Sequence, residues 1–565
     1  MKHYLFTSVL LLLSIPCFTQ ANFPHMLWFS GVEASTVNSD GTGIEVFDIA
    51  VEAASGSAYI AMRCSAPCTF GSEVTITPGI EGEFLALAKY DAQGSMEWVK
   101  NLGYVGDLYK GAHLCSATSD GVYIAAPFGV MQVNFGNNIQ IARKCTDICD
   151  EVFIAKFDPQ GQAQWAKTIS GGESTFFSVA GLEANSAGTL FIAGNYGGAK
   201  VDFGPNFTYN NLPGNSFFLA SYSAANGNPQ AVHFLAPESG ASFLQQLAVN
   251  NNDQVVLVGG YINTLKFANG LSLVAPVGTI GTFVADLTAN GDARWVRSVN
   301  SSNYFNILGI DTDETGHIYL AMDAAVDLQL DDSPIMTINN DYAGIVLKLD
   351  QSSYSIPVFI EYDTDDFTVM DVELDNLGNI YTAGYISKSL NIGGSEVVVD
   401  GCLDALITAT SNDGTHQWAR SLGGAGCEGL PNLYYGSSIA FDDAGFMHGA
   451  GLFFTGFNEE GYMAPGTGAF VTKFATSMIG TGEPHAFENL EISPNPSAGN
   501  FSITLHEAPS ALTQLTINDL GGREVYRQAI SEIQTSINTS LPVGAYLVIV
   551  QNGERLERQK LIVQR

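Results

Sequence analysis

The chain reads as a succession of short apolar runs, each entered through a polar turn. EAASGSAYIAM at 52–62, ATSDGVYIAAP at 117–127 and EANSAGTLFIAGN at 183–195 share one form, a turn followed by a strand. The form returns as VNNNDQVVLVGG at 249–260, DTDETGHIYLAM at 311–322, ELDNLGNIYTAG at 373–384 and AFDDAGFMHGAG at 440–451. Tyr59, Tyr123, Phe191, Val256, Tyr319, Tyr381 and His448 hold equivalent places, separated by 64, 68, 65, 63, 62 and 67 residues. Seven copies of one unit predict a repeat architecture.

A second element follows: KYDAQGSMEW at 89–98, KFDPQGQAQW at 156–165, DLTANGDARW at 286–295 and ATSNDGTHQW at 409–418. A strand enters a turn, the glycine permits a positive φ, and a Trp follows four residues later on the returning strand. The third and fifth copies are degenerate, with Val232 near the Trp place and Pro357 in it. Phe70-Gly71, Phe135-Gly136 and Phe203-Gly204 mark a corner between the two elements. Each unit thus supplies about four strands, the content of one propeller blade. The seventh unit ends at FVTKFATSM, residues 470–478, without a returning Trp strand, whereas HMLWFSGV at 25–32 is a Trp strand without a blade. The predicted fold is all-β: a seven-bladed β-propeller over 22–479, closed by strands from both ends. Such closure removes sheet edges that invite aggregation.

The units resemble the bacterial SBBP-type β-propeller repeat of exported proteins, most closely in ELDNLGNIYTAGY at 373–385 and AKFDPQGQAQWAK at 155–167. That resemblance covers roughly 25–478 and implies a fold, not a reaction.

Composition narrows the function. Charged residues make up 14 % of the chain and hydrophobic ones 46 %, which excludes intrinsic disorder. The net charge of −34 argues against a polyanion partner, so no nucleic acid is expected. Residues 1–21 read as a secretory signal, with Lys2 and His3, an apolar stretch from Leu5 to Ile15, and a Thr19-Gln20-Ala21 cleavage site. No run has membrane-spanning length. A lipoprotein signal centred on Cys17 is disfavoured by its Ser14-Ile15-Pro16 lead-in. In an exported chain Cys64/Cys68, Cys145/Cys149 and Cys402/Cys427 are expected as local disulfides or idle thiols in preference to metal ligands, leaving Cys115 odd.

After GTGEP at 480–484, a linker over 480–489, the balance changes. Residues 22–489 hold 50 acidic and 16 basic residues, whereas 490–565 hold 7 and 6. Short strand-like segments over 490–565 predict a small Ig-like β-sandwich. SPNPSAGNFSITL at 493–505, NDLGGREVY at 518–526, LPVGAYLVIV at 541–550 and QKLIVQR at 559–565 resemble the type A C-terminal sorting domain of the type IX secretion system of Bacteroidota. Pro494, Asn495, Pro496, Gly521, Gly544 and Tyr546 carry the match, with Ser493 where Tyr is common. The resemblance implies passage from the periplasm, after Sec export, across the outer membrane, with the secretion machinery as partner. The cargo is then secreted or held at the surface.

No catalytic constellation is evident. The Gly-to-Trp turn also resembles the tryptophan-docking motif of quinoprotein propellers, but the repeat accounts for Trp98, Trp165, Trp295 and Trp418 as structural staples. SNDGTHQW at 411–418 departs from a sialidase Asp-box because Asp413 and Gly414 are adjacent. Asp311, Asp313 and Gly316 resemble the start of a calcium loop, whose twelfth place is Met322, so a hairpin turn is favoured and calcium is only a weak candidate cofactor. His113, His233, His317, His416 and His448 show no paired spacing, and Asp363, Asp365 and Asp366 read as a solvated loop. The expected function is a non-enzymatic binding or scaffold module. The alternative is a secreted glycan-active hydrolase or lyase with a loop-built site. Convergent channel carboxylates of raised pKa would favour the enzyme; exposed aromatics at the channel mouth without such a pair would favour binding.

Overall fold

Each unit folds into an antiparallel sheet because its glycine supplies the left-handed residue that a tight reversal needs. Gly94, Gly161, Gly291 and Gly414 take φ values of 82°, 74°, 77° and 88°. The computed structural model describes residues 26–34, 43–475 and 491–563, apart from short stretches within the last two ranges, the longest being 104–111, 350–366 and 423–437. The signal, the linker and Pro357 therefore lie outside the described residues. Every regular element among the described residues is a strand.

Among the described residues seven main sheets succeed one another, with smaller hairpin sheets beside them. The seven are led by Ile44–Glu52, His113–Ala117, Phe176–Ala184, Ser242–Val249, Phe305–Thr312, Phe367–Leu374 and Ser438–Phe441, and are numbered 1 to 7 below. Six show the four strands of the repeat in order, and sheet 5 shows three. In sheet 7 the fourth strand is Met26–Ala34, paired antiparallel to Gly468–Phe474 with Gly31 opposite Phe470. The sequence expectation that the two chain regions share a sheet is met by this pairing.

The leading strands pack on one another in succession, and that of sheet 7 packs on that of sheet 1. Apolar cores lie between the sheets. Tyr59 and Leu87 of sheet 1 meet Ile124 and Phe153 of sheet 2, while Trp28 and Val471 of sheet 7 meet Ile60 and Met62 of sheet 1. A hairpin from one unit also extends the outer edge of the preceding sheet. Cys68–Phe70 pairs with Met26–Ala34, and Lys200–Asp202 pairs with Ala163–Gly171. An edge strand is thereby covered instead of left open.

The Trp of one sheet is fixed on the turn of the next. The indole N–H groups of Trp28, Trp98 and Trp165 donate to the carbonyls of Ala92, Pro159 and Ala224 at 3.0, 3.0 and 3.2 Å. Gly94, Gly161 and Gly227 lie under these rings, where an added Cβ would come within 2.5, 2.9 and 2.5 Å of ring carbons. The third unit refines the sequence reading, which put Val232 near the Trp place. Ala231, not Val232, stands at the Trp register opposite Ser221, and the His233 ring covers Gly291. The Lys of the repeat is structural as well: Lys89, Lys156 and Lys348 lie 5.6, 5.3 and 5.0 Å from the rings of Tyr59, Tyr123 and Tyr319. Trp98→Phe should lower the unfolding free energy by only about 1 kcal/mol, since the Lys89 ammonium also donates to the Pro159 carbonyl at 3.2 Å. Chemical denaturation measures this.

The C-terminal residues form two sheets on one core. Glu491–Ser493, Asn500–Thr504 and Gln534–Asn538 make the first; Gln514–Asp519, Glu524–Ala529, Gly544–Asn552 and Arg555–Val563 make the second. Phe501 and Ile503 pack with Leu515, Ile517, Val548 and Leu561 between them.

Candidate functional site

The leading strands place equivalent residues at two levels. At the first stand Asp48, His113, Gly181, Gln246, Gly309, Asp371 and Ser438; two residues further along stand Ala50, Cys115, Glu183, Ala248, Asp311, Glu373 and Ala440. Five of the strands carry a bulge just before the first level, between Val46 and Asp48, Val179 and Gly181, Leu244 and Gln246, Ile307 and Gly309, and Val369 and Asp371. A bulge inserts one residue and re-aims the side chains after it.

Those side chains join the sheets, with Asn195 of the neighbouring strand Thr189–Gly197 doing so at the third seam, and every seam has a polar bond. Asp48 accepts the Leu114 N–H at 2.8 Å, His113 Nε2 meets the Val179 carbonyl at 3.2 Å, and Asn195 accepts the Leu244 N–H at 2.6 Å. The Gln246 amide donates to the Leu308 carbonyl at 2.7 Å. Asp311 accepts from Leu374 N–H at 2.8 Å and Asp371 from Ile439 N–H at 3.0 Å. The last seam, from sheet 7 to sheet 1, has the Ser438 hydroxyl within 3.3 Å of Asp48 and 3.1 Å of Asp371. Its single proton serves one of them at a time.

Two carboxyl groups have no such bond. Among the described residues no hydrogen bond or ion pair reaches Glu183 or Glu373, although both are half-buried. Desolvation raises their pKa well above the usual carboxylate range, and the charges of Asp48, Asp311 and Asp371 raise it further. Burial pushes Asp48 and Asp311 up to about 7 and Asp371 to about 6, against the lowering effect of their backbone N–H donors. Burial holds His113 down to about 4, so it adds no positive charge at neutral pH. The charges of these carboxyl groups thus favour the protonated form of their neighbours. Chemically, such a group can hold and release a proton or attract a cation.

Of these five only Asp311 stands out in the sequence, and there in a different role. The signal was present: aligning the seven units on their aromatic position shows one column eight residues earlier, nine in the first unit, holding Ala50, Cys115, Glu183, Ala248, Asp311, Glu373 and Ala440. The calcium-like loop is used as a turn. Asp313 accepts the N–H groups of Thr315 and His317 at 2.9 and 3.0 Å and holds His317 Nδ1 at 2.7 Å, and Gly316 has φ 95°. Asp413 caps its own turn through Ser411 and Thr415. His448, Asp442 and Lys473 form a buried cluster in sheet 7, with Lys473 2.7 Å from Asp442, at the places of the Tyr, turn residue and Lys of the repeat. Among the described residues no three His, Cys, Asp or Glu side chains are arranged to hold a metal ion.

Cys145 is disulfide-bonded, whereas Cys64 and Cys68 are both thiols, fully buried and in contact. Of the two states expected for this pair, local disulfide or idle thiols, the structure holds the thiols. Cys149, Cys402 and Cys427 lie outside the described residues, as do Pro496, Gly521 and the Asp363 to Asp366 loop. Of the remaining tail motif, Asn495 accepts the Ile562 N–H at 2.8 Å, tying the segment after Pro494 to the last strand. Tyr546 donates to the Pro542 carbonyl at 2.8 Å, beside Gly544.

Comparison with known proteins gives one family. Residues 491–564 match the secretion system C-terminal sorting domain, so the chain carries an export tail that places it outside the cell or on its surface and implies contact with the secretion machinery. Curated proteins give no match. Similar solved structures include a quinohemoprotein alcohol dehydrogenase from Comamonas testosteroni, at 10 % identity and TM-score 0.32 over 78 % of each chain. A polysaccharide lyase of family PL25, an ulvan lyase, is similar at 8 % identity and TM-score 0.37 over 75 % of this chain and 92 % of its own. No helix among the described residues is long and apolar enough to cross a membrane.

Proposed function

We propose that this chain is a cargo of the type IX secretion system, with a seven-bladed SBBP-type β-propeller as its working domain and a small Ig-like sandwich as its sorting tail. It acts at the cell surface or beyond as a binding or scaffold module for a glycan or protein. The match of residues 491–564 to the sorting domain carries the export part. The seven sheets, the packing of the first on the last and a polar bond at each seam support the propeller. The binding reading draws support from the use of the repeat's Trp, Lys, Asp and Gly residues in holding sheets together, because a domain so built offers its loops and channel to ligands.

One observation favours the alternative, a glycan-active hydrolase or lyase. Glu183 and Glu373 converge with raised proton affinity and without structural partners, which is the condition a general acid requires. A thermal-shift screen of the mature protein against oligosaccharides, polysaccharides and calcium tests both readings. A ligand at 100 times its Kd should stabilise the fold by about 2.7 kcal/mol. Product analysis of any hit then separates binder from enzyme: turnover lost in both Glu183→Gln and Glu373→Gln would establish the second reading. No shift across the panel would contradict a small-ligand site.

A further inference from the structure

The seam between the first and last sheets contains a pair of thiols at a strategic place. Cys64 ends the strand Ser57–Cys64 of sheet 1, and Cys68 opens Cys68–Phe70, which pairs with Met26–Ala34 of sheet 7 through Cys68 opposite Ala34. The Cys68 thiol also points at the Gly43 carbonyl, at 4.0 Å, and the Ser65 N–H donates to that same carbonyl at 2.9 Å. Gly43 lies just before the leading strand of sheet 1. Both sulfurs sit in the core shared by Trp28, Val32, Phe70, Phe84 and Val471, and both are fully shielded from solvent.

We propose that Cys64 and Cys68 close into a disulfide during export, and that this bond fastens the hairpin which holds the N-terminal strand in sheet 7. Three observations carry it: the two sulfurs touch, the chain bears an export tail, and Cys145 of the same chain is already disulfide-bonded. The inference rests on export and is independent of what the propeller binds. The oxidant is a disulfide donor, either a thiol oxidase or a small-molecule disulfide. One cysteine, as thiolate, attacks a donor sulfur and displaces a thiolate, and the second then attacks the mixed disulfide. The cysteines lose two protons and two electrons, and the donor leaves as two thiols. In the folded state burial pushes the Cys64 thiol up and disfavours its thiolate, so exchange belongs to the stage before the seam packs. Once made, the bond is sheltered from reductants by the same burial.

The mature protein collected from outside its native host, denatured with a thiol-alkylating reagent and no reductant, then cut with trypsin, gives the test. Cleavage after Arg63 and Lys89 leaves both cysteines in the single peptide 64–89. The expected peptide lacks two hydrogens and carries no label. Two labels on it, with Cys145 still bridged, would overturn the proposal; labelling of Cys145 as well would overturn it through its premise of an oxidising route. A second measurement reports the role. Reductant under unfolding conditions should lower the refolded midpoint of the wild type more than that of Cys64→Ala/Cys68→Ala, and equal losses would refute the fastening.

Discussion

Removal of residues 490–565 should leave the protein in the periplasm of its native host, with the surface and medium emptied of it. The tail folds on its own core of Phe501, Ile503, Leu515, Ile517, Val548 and Leu561, and sheets 1 to 7 are built from residues before 475. Its loss therefore takes away the sorting signal without opening the rest of the molecule. The expected effect is near all-or-none, because a sorting domain is read by a receptor and not by bulk affinity. Fractionation with immunodetection measures it. Undiminished surface or medium levels of the truncated chain would defeat the sorting assignment.

Stability should fall as pH rises from 5 to 8, the reverse of the common acid-denaturation pattern. The sign follows from the five carboxyls of the leading strands. Asp48, Asp311 and Asp371 have folded pKa values raised to about 7, 7 and 6, and those of Glu183 and Glu373 are raised well above the usual value. A group whose pKa is higher folded than unfolded contributes stability that is full below its unfolded pKa, about 4 for a carboxyl, and is lost as pH passes the folded value. Each tenfold gain in proton affinity on folding is worth about 1.4 kcal/mol, so these groups together contribute on the order of several kcal/mol. Asp442, held down to about 2 by His448 and Lys473 despite its burial, acts in the opposite sense only as pH falls toward 2. His113, held down to about 4, and His233, His416 and His448, also lowered by burial, oppose the loss up to about pH 6.5, so the fall is steepest above that value. The thermal midpoint should therefore be higher at pH 5 than at pH 8, and Glu373→Gln should narrow the gap by raising the pH 8 value. A flat or rising profile from pH 5 to 8 would show that water or a bound cation relieves these charges.

Much of the repeat was legible because turns have few chemical solutions. Gly161, Gly291 and Gly414 stand where a positive φ is required, and the Trp places follow them at fixed distance. The tail was legible for a different reason, since its motif spans the whole domain in order. The carboxyl cluster of the leading strands was not. Its level is set by bulges such as the one between Val369 and Asp371, and a bulge shifts register without a residue type that announces it. These positions also differ from unit to unit: where one copy has Glu373, another has Ala248. A pattern search finds what the copies share, whereas a site lies in what they do not share. The third unit shows the same limit, since His233 covers Gly291 from a place two residues beyond the Trp register.

A density map of the mature protein at side-chain resolution tests the central claim most directly. Seven sheets around one channel are expected, with Met26–Ala34 as the outer strand of the last and Glu183 and Glu373 facing the channel without structural partners. An open arc of sheets, a different number of them, or an N-terminal strand paired elsewhere than with Gly468–Phe474 would contradict it.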